Sequence, residues 1–140
     1  MEAIRDIESG GDYGASNASG SGCTGAYQFS QGTWDAYAQS AAPAYVGVDP
    51  ASAPPEVQDA VMRAKTEAMY DKYGGDVDLM SLEHYGGEGA ADSAMANGYI
   101  PDSTEYYNGD AYPSQRAYAD NVRAHMGKAT GALSGVGGLF

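Results

Sequence analysis

Positive charge is scarce in this sequence. Seven Lys and Arg stand against 19 Asp and Glu, a formal net charge of −12, and no basic cluster occurs anywhere. Nucleic acid and anionic membranes are held by concentrated positive charge, so both are disfavoured as partners. Cysteine is nearly absent too. Cys23 alone cannot form an internal disulfide and has no second thiol for a metal site, so the fold does not depend on oxidation. The two histidines, His84 and His125, lie far apart with no ligand pattern around either, and no metal or other cofactor is expected. No apolar run approaches the length of a membrane span, and the first residues lack the charged-then-apolar pattern of a secretory signal. A target outside the cytoplasm would require some other means of delivery.

Strand-like alternation is also almost missing, which points to a mainly α fold with at most a small β-hairpin near residues 14–28. At 140 residues the chain suits one domain. A first helix is expected from about Glu2 to Ser9 with Ile4 and Ile7 inward, and Ser30 reads as the N-cap of a second bearing Trp34 and Tyr37. Pro55 suits the first position of a long helix with Val57, Ala60, Val61, Ala64 and Ala68 on its inward stripe, ending at Gly74-Gly75. Shorter helices follow over about 78–85 and 89–97, the latter closed by Gly98. Residues 99–112 are polar and turn-rich, with a short helical turn expected after Ser103. Ser114 caps a last helix with Ala117, Tyr118, Val122 and Met126 on one face, closed by Gly127. The composition then turns to Gly, Ala, Ser and Leu. The expected organisation is thus a domain over 1–127 and a Gly-rich tail or linker over 128–140, whose Leu133, Val136, Leu139 and Phe140 could dock onto a partner.

The residue with the most chemical content is Glu8, in the run Ile7-Glu8-Ser9-Gly10-Gly11. A helix carries a carboxyl to its last turn, and a glycine pair releases the backbone into a Gly/Ser-rich loop ending in Gly25-Ala26-Tyr27-Gln28-Phe29. A carboxyl held among apolar and aromatic groups loses hydration of its ionised form, so its pKa rises and it can protonate a leaving-group oxygen. Taken alone, Glu8 reads first as a solvated helix-end carboxylate, a reading that three further segments reverse. The 12 tyrosines, which combine a flat apolar face with a hydroxyl, add weak support for a sugar-holding cleft.

Four motifs in succession carry a resemblance: Glu8-Ser9-Gly10-Gly11, Gly25-Ala26-Tyr27-Gln28-Phe29, His84-Tyr85-Gly86-Gly87-Glu88-Gly89-Ala90 and Pro113-Ser114-Gln115-Arg116-Ala117-Tyr118. In this order they resemble the soluble lytic transglycosylase and goose-type lysozyme superfamily, the transglycosylase SLT domain, from Ile4 to about Val122. The phage virion-associated members are closest in feel, being compact and without an export signal. The resemblance implies an α+β lysozyme-like domain with a substrate cleft. It also implies delivery on a virion or to the bacterial periplasm and cell wall, and virion or tail proteins as partners of the C-terminal tail. The family usually has more helix ahead of its acid, which implies an excised domain or a neighbour that completes the packing.

Residue by residue, the resemblance implies that Glu8 is the catalytic acid, with Ser9, Tyr27, Gln28, Tyr85, Gly86 and Tyr118 binding substrate. Ala26-Tyr27 stand where the family has Leu-Met, Gly86 where it usually has asparagine, and Ser114-Gln115 where it has Glu-Thr. Each position also has a plainer reading: a helix-end serine, a loop glutamine, a helix-linking glycine turn and a core tyrosine. Trp34 and His125 read as structural.

The implied reaction is cleavage of the β-1,4 bond between N-acetylmuramic acid and N-acetylglucosamine of peptidoglycan. Glycosidases generally use two carboxylates, about 5–5.5 Å apart for retention or roughly 6.5–9.5 Å for inversion. Asp12, Glu83 and Glu88 are available, but none sits in a motif that demands a second acid. That favours a single-acid route in which the muramoyl 6-hydroxyl is the nucleophile and a 1,6-anhydro sugar results. A hydrolytic muramidase is the enzymatic alternative. A virion structural or sugar-binding subunit without catalysis is the non-enzymatic one. Because cell-wall polymers are themselves negative, activity on them should rise with salt over the low range, as screening shortens toward a Debye length of about 8 Å. A flat or falling salt profile of wall solubilisation would contradict this.

Overall fold

In the computed structural model, the described residues are 1–16, 21–107 and 109–130. Among them the fold is mainly helical: α1 (Glu2–Ser9), α2 (Gln31–Ala41), α3 (Pro55–Tyr73), α4 (Val77–Gly86), α5 (Glu88–Asn97) and α6 (Gln115–Thr130). Two 3-10 turns, Pro43–Tyr45 and Pro50–Ser52, link α2 to α3. A two-stranded hairpin of β1 (Glu105–Tyr107) and β2 (Asp110–Tyr112) precedes α6. None of these helices is long and apolar enough to cross a membrane.

Most helix ends follow from local chemistry. Gly10 takes the left-handed conformation and donates its N–H to Asp6 O, closing α1. Ser30 Oγ accepts from the Thr33 N–H, Asp76 caps α4 through the Leu79 N–H, and Ser114 Oγ accepts from the Ala117 N–H. Gly98 closes α5 in the left-handed conformation.

The chain divides into two compact units, Met1–Glu67 and a second beginning at Ala68. The first buries Ala3 and Ile4 of α1, Trp34 and Ala38 of α2, and Val61 and Met62 of α3 around Ala26, Tyr27 and Phe29. Tyr27, Phe29 and Trp34 form an edge-to-face series, with ring centroids 6.3 and 5.5 Å apart. Burial of each large apolar side chain of this kind contributes about 1.5–3 kcal/mol. The Trp34 indole N–H donates to Tyr45 O at 2.9 Å, so the ring is buried without an orphaned donor. In the second unit α4 packs against both α5 and α6, burying Met80, Leu82, Ala91, Ala94, Tyr118, Ala119 and Val122.

Three expectations are corrected. On α3 the buried side is Gln58, Val61, Met62, Lys65, Met69 and Tyr73, while Val57, Ala60 and Ala64 are only half-buried and Ala68 is exposed. The inward face is about one residue further round the helix than the small aliphatic stripe, because Met and the long stems of Gln and Lys fill more space than alanine. The β-hairpin lies at 105–112, where a helical turn was expected. Aromatic residues flank Asn108-Gly109, a strong hairpin dipeptide; of the span 14–28, residues 17–20 lie outside the described residues, and among the described ones there is an isolated bridge between Thr24 and Phe29. Finally, α6 runs past Gly127 to Thr130; residues 131–140 of the expected tail lie outside the described residues.

Asp78 couples α4 to α6 by receiving hydrogen bonds from Arg123 and Arg116. Burial pushes its pKa upward, but the Arg123 hydrogen bond and the charges of Arg123 and Arg116 outweigh that and hold it below its ordinary value of 3.8. A carboxyl depressed in the folded state contributes stability above its unfolded pKa, and that contribution is lost as pH falls through the folded value. Asp78→Asn should therefore lower stability at neutral pH and flatten its dependence on pH below 3.8. Urea unfolding across acid pH checks this, and parallel profiles for the two proteins would contradict it.

Candidate active site

Glu8 sits half-buried on the last turn of α1, followed by Gly10 at φ +64° and Gly11 at φ +88°. Ser9 bonds this helix end to the second motif. Its hydroxyl lies 2.8 Å from Ala26 O and 3.2 Å from Arg5 O, and its oxygen accepts from the Gly11 N–H at 3.2 Å. A serine with a solvated hydroxyl would not make the bond to Ala26 of the second motif.

The second motif is a tight turn closed by Thr24 and Phe29, which exchange two backbone hydrogen bonds of 3.0 Å. Among the described residues Gln28 is alone, apart from glycines, in having a positive φ, at +52°. Backbone of this kind costs of order 1–3 kcal/mol and persists where surrounding structure over-determines it. Here the Gln28 N–H and side-chain Nε2 both donate to Gly25 O, at 3.2 and 3.0 Å. The turn uses Nε2 of that amide and not Oε1. Tyr27, implied by the resemblance as a substrate contact, is 1% exposed. Its hydroxyl donates to Asp59 Oδ1 at 2.7 Å, and burial followed by the Asp59 interaction raises its pKa, keeping it a donor.

Two side chains of α3 absent from the motifs hold this turn. Gln58, 1% exposed, accepts from the Ala26 N–H through Oε1 at 2.9 Å and donates through Nε2 to Tyr13 O at 2.9 Å and Ala53 O at 2.8 Å. Asp59 Oδ1 accepts from Tyr13 as well as from Tyr27, at 2.8 Å, and Tyr13 in turn accepts from Arg5 at 3.0 Å. The Tyr13 hydroxyl bond, against the opposing pull of burial, raises the Arg5 pKa and keeps it charged. Lys65, 5% exposed, lies 5.7 Å from the centre of the Phe29 ring. A sequence signal for Gln58 existed: it shares a helix face with Met62, Lys65 and Met69 at spacings of four, seven and eleven residues.

In the second unit the structure brings the third and fourth motifs together. The Tyr85 and Tyr118 rings stack with centroids 4.2 Å apart and planes 9° from parallel. Tyr85 donates its hydroxyl to Pro113 O at 2.6 Å, and Ser114 donates to Asp102 at 2.7 Å. Tyr85 is half-buried and Tyr118 buried. Gly86 is exposed; a Cβ there would stand 2.9 Å from Ala90 Cβ, which gives the departure from asparagine a packing reason. Glu8, Ser9, Tyr27 and Gln28 thus belong to the first unit, and Tyr85, Gly86 and Tyr118 to the second.

Comparison with known proteins matches residues 1–77 to the transglycosylase-like domain family, which includes Glu8, Ser9, Tyr27 and Gln28 but not the third and fourth motifs. Residues of the chain are 53% identical over 60 positions to "Probable transglycosylase SceD 3" of Staphylococcus saprophyticus, covering 43% of this chain and 24% of that protein. The proteins called "Probable transglycosylase SceD" of Staphylococcus haemolyticus and Staphylococcus aureus strain Newman are each 52% identical, over 60 and 61 residues, with the same coverage of 43% and 24%. The match spans about a quarter of the length of these relatives. No solved structure matches the chain.

Gly25 has φ +83°, and a Cβ there would meet Gln58 Oε1 at 2.7 Å. Gly25→Ala should therefore cost about 1–3 kcal/mol from the backbone alone, with further loss as Gln58 is displaced. Gly32→Ala, in open space at the start of α2, should be neutral or stabilise by up to roughly 1 kcal/mol. Denaturant unfolding of both variants checks the contrast, and equal effects would contradict it.

Proposed function

The chain belongs to the transglycosylase-like domain family, and from that premise we propose that it is a peptidoglycan lytic transglycosylase with Glu8 as its single acid and base. The observation that carries this reading is the 2.8 Å bond from Ser9 to Ala26, which ties the Glu8 helix end to the turn presenting Gln28. A general acid is effective only when held in a fixed relation to the groups that orient its substrate. Ser9 and the strained Gln28 turn supply that fixity in the first unit.

In the proposed reaction, protonated Glu8 donates to the oxygen of the β-1,4 bond between N-acetylmuramic acid and N-acetylglucosamine, and that bond breaks. The Glu8 carboxylate then takes the proton of the muramoyl 6-hydroxyl as its oxygen bonds to the anomeric carbon. A 1,6-anhydro end results, Glu8 is protonated again, and no water is consumed. Gln28 offers Oε1 to a sugar hydroxyl. The resemblance assigns Tyr85, Gly86 and Tyr118 of the second unit to sugar binding as well, with the half-buried Tyr85 ring backed by Tyr118.

The finer assignment to the soluble lytic transglycosylase and goose-type lysozyme superfamily rests on the four motifs together. Virion association, delivery to the cell wall and tail-mediated partners rest on the resemblance alone. The staphylococcal relatives, named as probable transglycosylases, support transglycosylase chemistry and say nothing of a virion.

Glu8→Gln keeps the size of the side chain and removes the transferable proton. It should slow solubilisation of bacterial sacculi by at least about a hundredfold while leaving sedimentation with sacculi unchanged. A Glu8→Gln protein that solubilises at the wild-type rate would overturn the assignment. A wild-type chain that binds sacculi and releases nothing would replace it with a sugar-binding module.

A further inference from the structure

We propose that Asp59 is a positioning residue for this reaction, holding the Glu8 helix end and the Gln28 turn in register through the hydroxyls of Tyr13 and Tyr27. The proposal rests on the reading of Glu8 as the acid.

Two phenols reach the same carboxylate oxygen, Tyr13 at 2.8 Å and Tyr27 at 2.7 Å. They come from the two segments that matter to the site. Tyr13 follows the Glu8-Ser9-Gly10-Gly11 run, and Tyr27 stands beside Gln28. Tyr13 also accepts from Arg5, one turn before Glu8 on α1, so four groups form one chain from α1 to the turn. The proton directions are mutually consistent. Each phenol has one proton and gives it to Asp59, which leaves the Tyr13 oxygen lone pairs to receive the Arg5 N–H. Hydrogen bonds to a charged acceptor are roughly twice as strong as neutral ones and fix geometry more tightly.

The neighbouring Gln58 separates folding from positioning. It binds backbone groups of the same two regions, at Tyr13 O and Ala26 N, whereas Asp59 binds their side chains. Removing Asp59 leaves those backbone bonds and the buried rings of Tyr27 and Phe29 in place. The loss falls on the relative setting of α1 and the turn, where a misplacement of about 1 Å can cost on the order of a hundredfold in rate.

The test compares wild type, Asp59→Ala, Asp59→Asn and Tyr27→Phe on purified glycan strands, at a temperature where circular dichroism shows all of them folded. Asp59→Ala should lower kcat by roughly ten- to a hundredfold with KM changed by less than about threefold. Asp59→Asn, whose carbonyl still accepts from the phenols, should recover part of that loss. Adding Tyr27→Phe to Asp59→Ala should cost little more, since both break one network. Independently of turnover, Asp59→Ala should shift the amide resonances of Ser9 and Gln28. Wild-type kcat in Asp59→Ala, a loss confined to KM, or amide shifts confined to α3 would overturn the proposal. In that case an active wild type leaves the Glu8 assignment standing, whereas a wild type without turnover removes the reaction and this role together.

Discussion

The side-chain amide of Gln58 is the interaction on which the candidate site depends. Burying an amide costs several kcal/mol if it is left unbonded, and here its Oε1 and Nε2 are engaged by three backbone groups of the first unit. One amide thus fixes the loop after α1, the segment entering α3 and the turn that carries Gln28. The constraint propagates to sequence. Gly25 must lack a side chain because the amide oxygen occupies the place a Cβ would take, and the same residue requires a positive φ. Pro50 closes the other side of that space, 3.4 Å from the same point.

The chemistry proposed for Glu8 follows from that rigidity. α1 has only eight residues, too short to hold its end by helix propensity alone, so its orientation depends on tertiary bonds. Ser9 supplies one directly and Arg5 another through Tyr13. Strain at Gln28 is sustained by the amide of the same residue and by the Thr24–Phe29 bridge. In the second unit the Tyr85–Tyr118 stack plays the comparable part, tying the end of α4 to the start of α6, with Ser114 serving both as cap and as a donor to Asp102.

What could be read from the residues was what local chemistry decides. Ser30, Pro55, Gly74-Gly75, Gly98 and Ser114 announce helix ends because caps and glycine turns act within four residues. The Glu8 and Gln28 motifs were legible only through the resemblance that the four motifs carry together. The supports were not. Gln58 lies 32 residues from Ala26 and 45 from Tyr13, so its place on the Met62 and Met69 face of α3 can mark burial but not the backbone groups it binds. Apolar periodicity assumes that the buried face is the apolar one, and so points to the stripe of Val57, Ala60, Val61, Ala64 and Ala68 rather than to Gln58 and Lys65. The hairpin lies where its tyrosines stand among acidic and polar residues, a composition that reads as turn-rich loop. Tyr27 stands in a segment implied to touch substrate, yet its hydroxyl reaches a carboxylate on α3, 32 residues away in sequence.

The account's central claim is that one carboxyl, on a helix end fixed to the Gln28 turn, cleaves a glycosidic bond with the substrate supplying its own nucleophile. Digestion of intact sacculi in water enriched in oxygen-18, followed by mass spectrometry of the released fragments, tests it most directly. The account predicts 1,6-anhydro ends that carry no label. Reducing ends with one labelled oxygen, or no released fragments at all, would contradict it.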